Sequence, residues 1–154
     1  VINTFSKDLK TKLKTWKPSY SGNPLGELLK ISDSCFFGLT WMIRKKAHIK
    51  YRFQENISHG EDLLFFLEIS KHGGLYDFVE DDVLHYRKGH KSAMSDLKGL
   101  EKGYHQIYQA LKVSEVASVN QASHFKRKAR KIIFNSYLGN YHLISAFRSL
   151  RRKW

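Results

Sequence analysis

The chain has one cysteine, Cys35, and two prolines, Pro18 and Pro24. A single thiol excludes an internal disulfide framework and any cysteine-rich zinc site. Breakers this scarce, beside 14% aromatic residues, exclude a disordered chain. No run approaches the ~20 uninterrupted apolar residues that a membrane-crossing helix needs. Acidic residues are also scarce: 27 Lys+Arg face 14 Asp+Glu, for a net charge of +13 over 154 residues. That length and a 42% hydrophobic content suit one globular domain, or two small ones. The start at Val1 shows no signal-peptide pattern, and the chain reads as a fragment or a trimmed piece.

The surplus charge is uneven. Beyond Glu115 there is no acidic residue, and nine Lys/Arg lie between Val116 and Trp154. Five lysines and one aspartate occupy Lys7 to Lys17, while Glu55 to Asp82 is locally acidic. Such asymmetry points to an anionic partner, whether phospholipid, nucleic acid or a phosphorylated ligand.

Hydrophobic spacing predicts the elements. Phe5, Leu9, Leu13 and Trp16 recur at four, four and three, which predicts a short amphipathic helix over 5–17. A second short helix is expected over 25–31, after Pro24. The aromatic segment Ser34 to Ile43 reads as a buried strand ending at Arg44-Lys45-Lys46, with Cys35 as an inert buried thiol. His59-Gly60-Glu61-Asp62 opens a helix that buries Leu63, Leu64, Phe66, Leu67 and Ser70 and stops at Gly73-Gly74. Its two carboxylates sit at the positive end of the helix dipole. Residues 75–79 and 83–86 read as short strands, 87–95 as a polar loop and 96–112 as a helix slightly weakened by Gly99 and Gly103. One long basic helix is expected over 125–147, with Gly139 as a kink or a point of close approach for a neighbour. Its aromatic and aliphatic residues among Lys126 to Lys131 and Arg148 to Lys153, with the final Trp154, suit a helix lying on an anionic membrane.

Three segments in this order resemble family 2 glycosyltransferases of the GT-A fold. They are the strand and basic turn Phe36 to Lys46, the pattern Phe53-x5-His59-Gly60-Glu61-Asp62-Leu63-x-Phe65, and the loop His85-Tyr86-Arg87-Lys88-Gly89-His90-Lys91-Ser92-Ala93-Met94-Ser95. The resemblance covers roughly residues 34–95. It implies an α/β fold with a partial GT-A-like layout: a short mixed sheet packed by helices, then a helical extension. Residues 1–95 would form the acceptor-side portion and 96–154 a basic helical extension.

The same resemblance implies an inverting transfer from a nucleotide-sugar donor to a glycan or lipid-linked acceptor, in polysaccharide or cell-surface glycan synthesis. Asp62 would be the base that deprotonates the acceptor hydroxyl, with Glu61 beside it orienting the acceptor. Arg87, Lys88, His90, Ser92 and Ser95 would hold the departing nucleotide diphosphate. Such enzymes use a divalent metal, Mg or Mn, held by an Asp-x-Asp pattern in a preceding donor-binding half. This chain has no Asp-x-Asp, so it reads as lacking that half and as inactive alone. His90 is the residue that the resemblance offers as a metal ligand. A partner segment or self-association is expected to cover the apolar surface so exposed, and the setting implied is cytoplasmic, at the inner face of the cell membrane. The rival readings are a basic nucleic-acid-binding module and a peripheral membrane module without an active site. Against the nucleic-acid reading, no recognition motif occurs and the central helix opens with two acidic residues.

Overall fold

The computed structural model describes residues 1–35, 40–89 and 95–154. It is a mixed α/β structure with a three-stranded sheet and five helices. Strands β1 (Ile2–Phe5) and β2 (Lys12–Trp16) precede helices α1 (Leu25–Leu29) and α2 (Glu61–Ser70). Strand β3 (Leu84–Arg87) follows, then α3 (Leu97–Val113), α4 (Val119–Gly139) and α5 (Leu143–Arg151). The sheet order is β2-β1-β3, with β1 antiparallel to β2 and parallel to β3.

The helix expected over 5–17 is instead this β1–β2 hairpin. Leu9 of the helical-looking spacing sits in the turn, at φ 62°, and both Leu9 and Leu13 are half exposed. Side chains build that turn. Ser6 Oγ bonds Asp8 and accepts the Thr11 N–H at 3.0 Å, while Asp8 accepts the Lys10 N–H at 3.2 Å. Such local polar bonds compete with helical ones and win where the apolar stripe has nothing to pack on. Thr15 Oγ1 then donates to Asn3 Oδ1 across the strands at 2.8 Å, and Ile2 is fully buried.

Two expected strands also differ. Ser34 and Cys35 lie in a turn and Trp41 to Ile43 pair with no strand; Phe36 to Leu39 lie outside the described residues. Of residues 75–79, Tyr76 makes a single antiparallel bridge to Gly22. The long final helix is two helices. The chain breaks after Gly139 through Tyr141, at φ 61°, and α5 folds back on α4. The cores of α2 and α3 fall where the periodicity puts them, with Gly73 and Gly74 both at positive φ after α2.

Helix α2 is buried on all sides over Leu63 to Leu67, the mark of a central helix. Around it pack Leu28 and Leu29 of α1, Ile107, Tyr108 and Leu111 of α3, and Phe125 and Ala129 of α4. One core therefore joins residues on both sides of position 95. Each of these large side chains contributes roughly 1.5–3 kcal/mol by leaving water. Glu101 locks the outer corner: it accepts from Tyr137 Oη at 3.0 Å and pairs with Arg152 at 3.1 Å.

The start of α2 is set by a notch in α3. Gly99, Gly103 and Ile107 recur every four residues on one face of that helix. A Cβ at Gly103 would stand 2.1 Å from the His59 carbonyl oxygen, and one at Gly99 would stand 2.3 Å from His59 Cε1. Gly60, at φ 78°, meets Ile107 in the same way, with 2.8 Å left for a Cβ. Only hydrogen side chains let the two backbones come this close.

Gly103→Ala is therefore expected to lower stability by at least about 2 kcal/mol in denaturant unfolding, despite alanine's better helix propensity. Gly139→Ala, with open space around its Cβ, is expected to raise it by roughly 0.5 kcal/mol. Equal stability of Gly103→Ala and the native chain would contradict the close approach.

Candidate functional site

His59 fills the notch and is tied on both sides. Its Nδ1 lies 3.3 Å from Ser58 Oγ, and its Nε2 lies 3.9 Å from Asp96 Oδ2. Asp96 also caps α3, accepting the Gly99 N–H at 3.0 Å. The left-handed Gly60 then turns the chain into α2, so that Glu61 and Asp62 form its first turn. Asp62 is partly buried, and Oδ1 accepts its neighbour Leu63 N–H at 2.7 Å. Burial raises the Asp62 carboxyl above the usual carboxylate range and the Glu61 charge adds to this, against the lowering by that hydrogen bond. Tyr104, on α3, is pushed up to about 12 by burial and then by the charge of Asp62. The first turn of α2 thus presents a carboxylate more basic than usual, beside a phenol that stays protonated at neutral pH.

A second group of expected residues lies at the sheet. Arg87 ends β3 and Lys88 follows, both exposed. The Lys88 N–H donates to the Phe5 carbonyl at 2.9 Å, which carries the parallel pairing past the strand end. Gly89, at φ 86°, turns over Lys7, leaving 3.2 Å between its Cβ position and Lys7 Cβ. Lys7, Lys88 and Arg87 therefore cluster at the carboxyl ends of the parallel pair β1 and β3, where open sheets commonly bind ligands. Lys7 was hidden from sequence reading because a helix was expected there; the parallel pairing is what brings it to this edge.

Ser95 is exposed and directly precedes Asp96, beside His59. His90 and Ser92 lie outside the described residues. The chain from Gly89 to Ser95 is six residues, so the basic edge and the α3 start stand at most about 20 Å apart. Neither Arg87 nor Lys88 makes a hydrogen bond or ion pair with Asp62. Among the described residues, no three His, Cys, Asp or Glu side chains converge as metal ligands. His90, the candidate ligand, lies outside those residues, and no step below is routed through a metal ion.

A cavity of about 750 Å³ opens at the other end of α2. Ile2, Trp16, Trp41, Tyr51, Ile69 and Tyr76 give it a mainly apolar wall. Asp62 and Glu61 do not line it; about 10 Å of α2 separates Asp62 from Ile69, where the lining begins. Burial pushes the Cys35 thiol up to about 11, and Tyr76 up to about 12, so neither is an ionised nucleophile at neutral pH. The Tyr104–Tyr108 stripe packs into the core against Phe125 and Trp154. No protein-family model, no curated protein and no solved structure matches the chain.

The sign of the Asp62 shift sets a pH dependence. A carboxyl raised by burial costs stability while ionised. That cost is complete above its raised pKa and gone below the ordinary carboxylate value, where both states are protonated. Asp62→Asn should therefore raise Tm at neutral pH, with the gain vanishing as pH falls through the carboxylate range. A lower Tm for the variant at neutral pH would show that the ionised group stabilises the fold.

Proposed function

We propose that this chain is the acceptor-side portion of an inverting, family 2-like glycosyltransferase. The observation that carries the reading is the Asp62 carboxylate, held at the first turn of α2 and made more basic by burial. A base there takes the proton of an acceptor hydroxyl as its oxygen attacks the anomeric carbon. The bond from that carbon to the donor's diphosphate oxygen breaks, with inversion, and the nucleotide diphosphate departs with the electron pair. Glu61, next on the same turn, orients the acceptor hydroxyls.

The departing diphosphate needs positive charge. Arg87 offers a bidentate fork, while Lys88 and Lys7 add point charges at the same sheet edge. Ser95, just before α3, joins the proposed diphosphate set, as do His90 and Ser92 by their place in the resemblance. Further support comes from the order of parts: basic segment, Gly-Glu-Asp helix, then a strand that ends in Tyr86-Arg87. The partial GT-A-like layout belongs to this proposal, as do a donor-binding half outside these residues and the divalent ion it would bring. Exposed Met42, Leu75 and Val79, beside the apolar cavity, are where that half is proposed to pack.

The test joins this chain to its donor-binding segment. Asp62→Asn is expected to lower transfer at least ~100-fold while donor binding stays within a factor of about two. Arg87→Ala is expected to weaken nucleotide-diphosphate binding roughly tenfold. Equal loss of binding and transfer in Asp62→Asn would make Asp62 a structural residue; unchanged diphosphate affinity in Arg87→Ala would remove Arg87 from the site.

A further inference from the structure

Helix α5 packs the opposite way round from a helix that closes a core. It turns the small Ala146 and Ser149 toward α4, and both are buried. Its bulky apolar residues face out: Leu143 is 58% exposed, Ile144 78% and Phe147 60%. Leu143, Phe147 and Leu150, spaced four and three, form one stripe, with Ile144 and Arg151 along its edge and Arg148 just beyond. The stripe continues onto α4. Arg127, Lys131, Phe134 and Leu138, spaced four, three and four, share a row of that helix, and Phe134 meets Phe147 edge-on at 5.8 Å. Since α5 folds back along α4, Arg148 and Arg151 come to the end of α4 that carries Arg127 and Lys131. The hydrogen bond from the Arg130 guanidinium to the Arg152 carbonyl marks that end. Trp154 is not on this face: it is half buried against Tyr108 and Arg130.

We propose that this α5 face, with the adjoining row of α4, seats on an anionic phospholipid surface. The observations behind it are separate from those behind the transferase reading. Charge complementarity selects the occupant. From Val116 to Trp154 there are nine Lys/Arg and no acidic residue. Of Arg148, Arg151 and Arg152, only Arg152, just past α5, has an ion pair among the described residues, with Glu101. Aliphatic side chains enter the acyl boundary while arginines beside them reach headgroup phosphates. A second copy is disfavoured, because a two-fold contact would bring two sets of Arg148 and Arg151 into one interface with no carboxylate on this face to pair them. Nucleic acid fits poorly too, since on this stripe only Phe147 could stack on a base, while Leu143, Ile144 and Leu150 offer neither stacking nor hydrogen bonds. Among the described residues no helix is long and apolar enough to cross a membrane, so the contact is with the surface.

The experiment is flotation of the full 154-residue chain with two kinds of vesicle. One is phosphatidylcholine alone; the other is equal parts phosphatidylcholine and phosphatidylglycerol. Binding is expected only to the second. Arg148→Ala with Arg151→Ala should lower the partition coefficient roughly thirty-fold, and Ile144→Asp at least about tenfold. All these residues are exposed, so far-UV circular dichroism should be unchanged. Three outcomes would overturn the proposal. They are no binding to anionic vesicles, binding that all three substitutions leave intact, and a self-association abolished by Ile144→Asp in a chain that ignores vesicles.

Discussion

Two backbones meet at a distance that only glycine permits, and much of the candidate site follows from it. The His59 carbonyl lies where a side chain on residue 103 would have to be, and the His59 ring lies where one on residue 99 would be. This contact fixes the approach of the chain to α2. Gly60 must then turn left-handed against Ile107, and Glu61 and Asp62 must begin the helix partly out of water. Burial at this helix start, three residues after His59, raises the Asp62 carboxyl. Asp96 closes the arrangement from the other side, capping α3 while facing the His59 ring.

The central helix divides the molecule's polar and apolar chemistry. At its amino end stand two carboxylates and Tyr104. At its carboxyl end stands the apolar cavity walled by Trp16, Trp41 and Tyr76. The basic strand edge formed by Lys7, Arg87 and Lys88 lies on a separate element. It is linked to the α3 start by a short covalent segment. A diphosphate at that edge and an acceptor at Asp62 would be bridged by a sugar and its donor. This is why the transferase reading asks for further protein and does not make these residues a finished active site.

The central part of this arrangement was legible in the sequence. The Leu63 to Leu67 run, the Gly-Glu-Asp opening and the Gly73-Gly74 stop gave α2 within a few residues, and spacing gave α3. The first hairpin was not legible. Phe5, Leu9, Leu13 and Trp16 imitate a helical face, and only the Ser6, Asp8 and Thr11 bonds reveal the turn. Nor was the break after Gly139, since Tyr141 takes a left-handed conformation that its type rarely adopts. Gly99 and Gly103 were legible as a pattern but were weighed only as a cost in helix propensity. Their spacing of four was the signal for a close approach, and its partner, His59, lies forty residues away, beyond the reach of local pattern.

The most direct measurement is a carbon-detected NMR titration of the Asp62 carboxyl in the native chain and in Gly103→Ala. The native group is expected to titrate above the ordinary carboxylate range. In the variant, with His59 pushed out of its notch, it is expected to move back toward that range. An ordinary value in the native chain, or the same raised value in both, would contradict the link between the glycine notch and the basicity of Asp62.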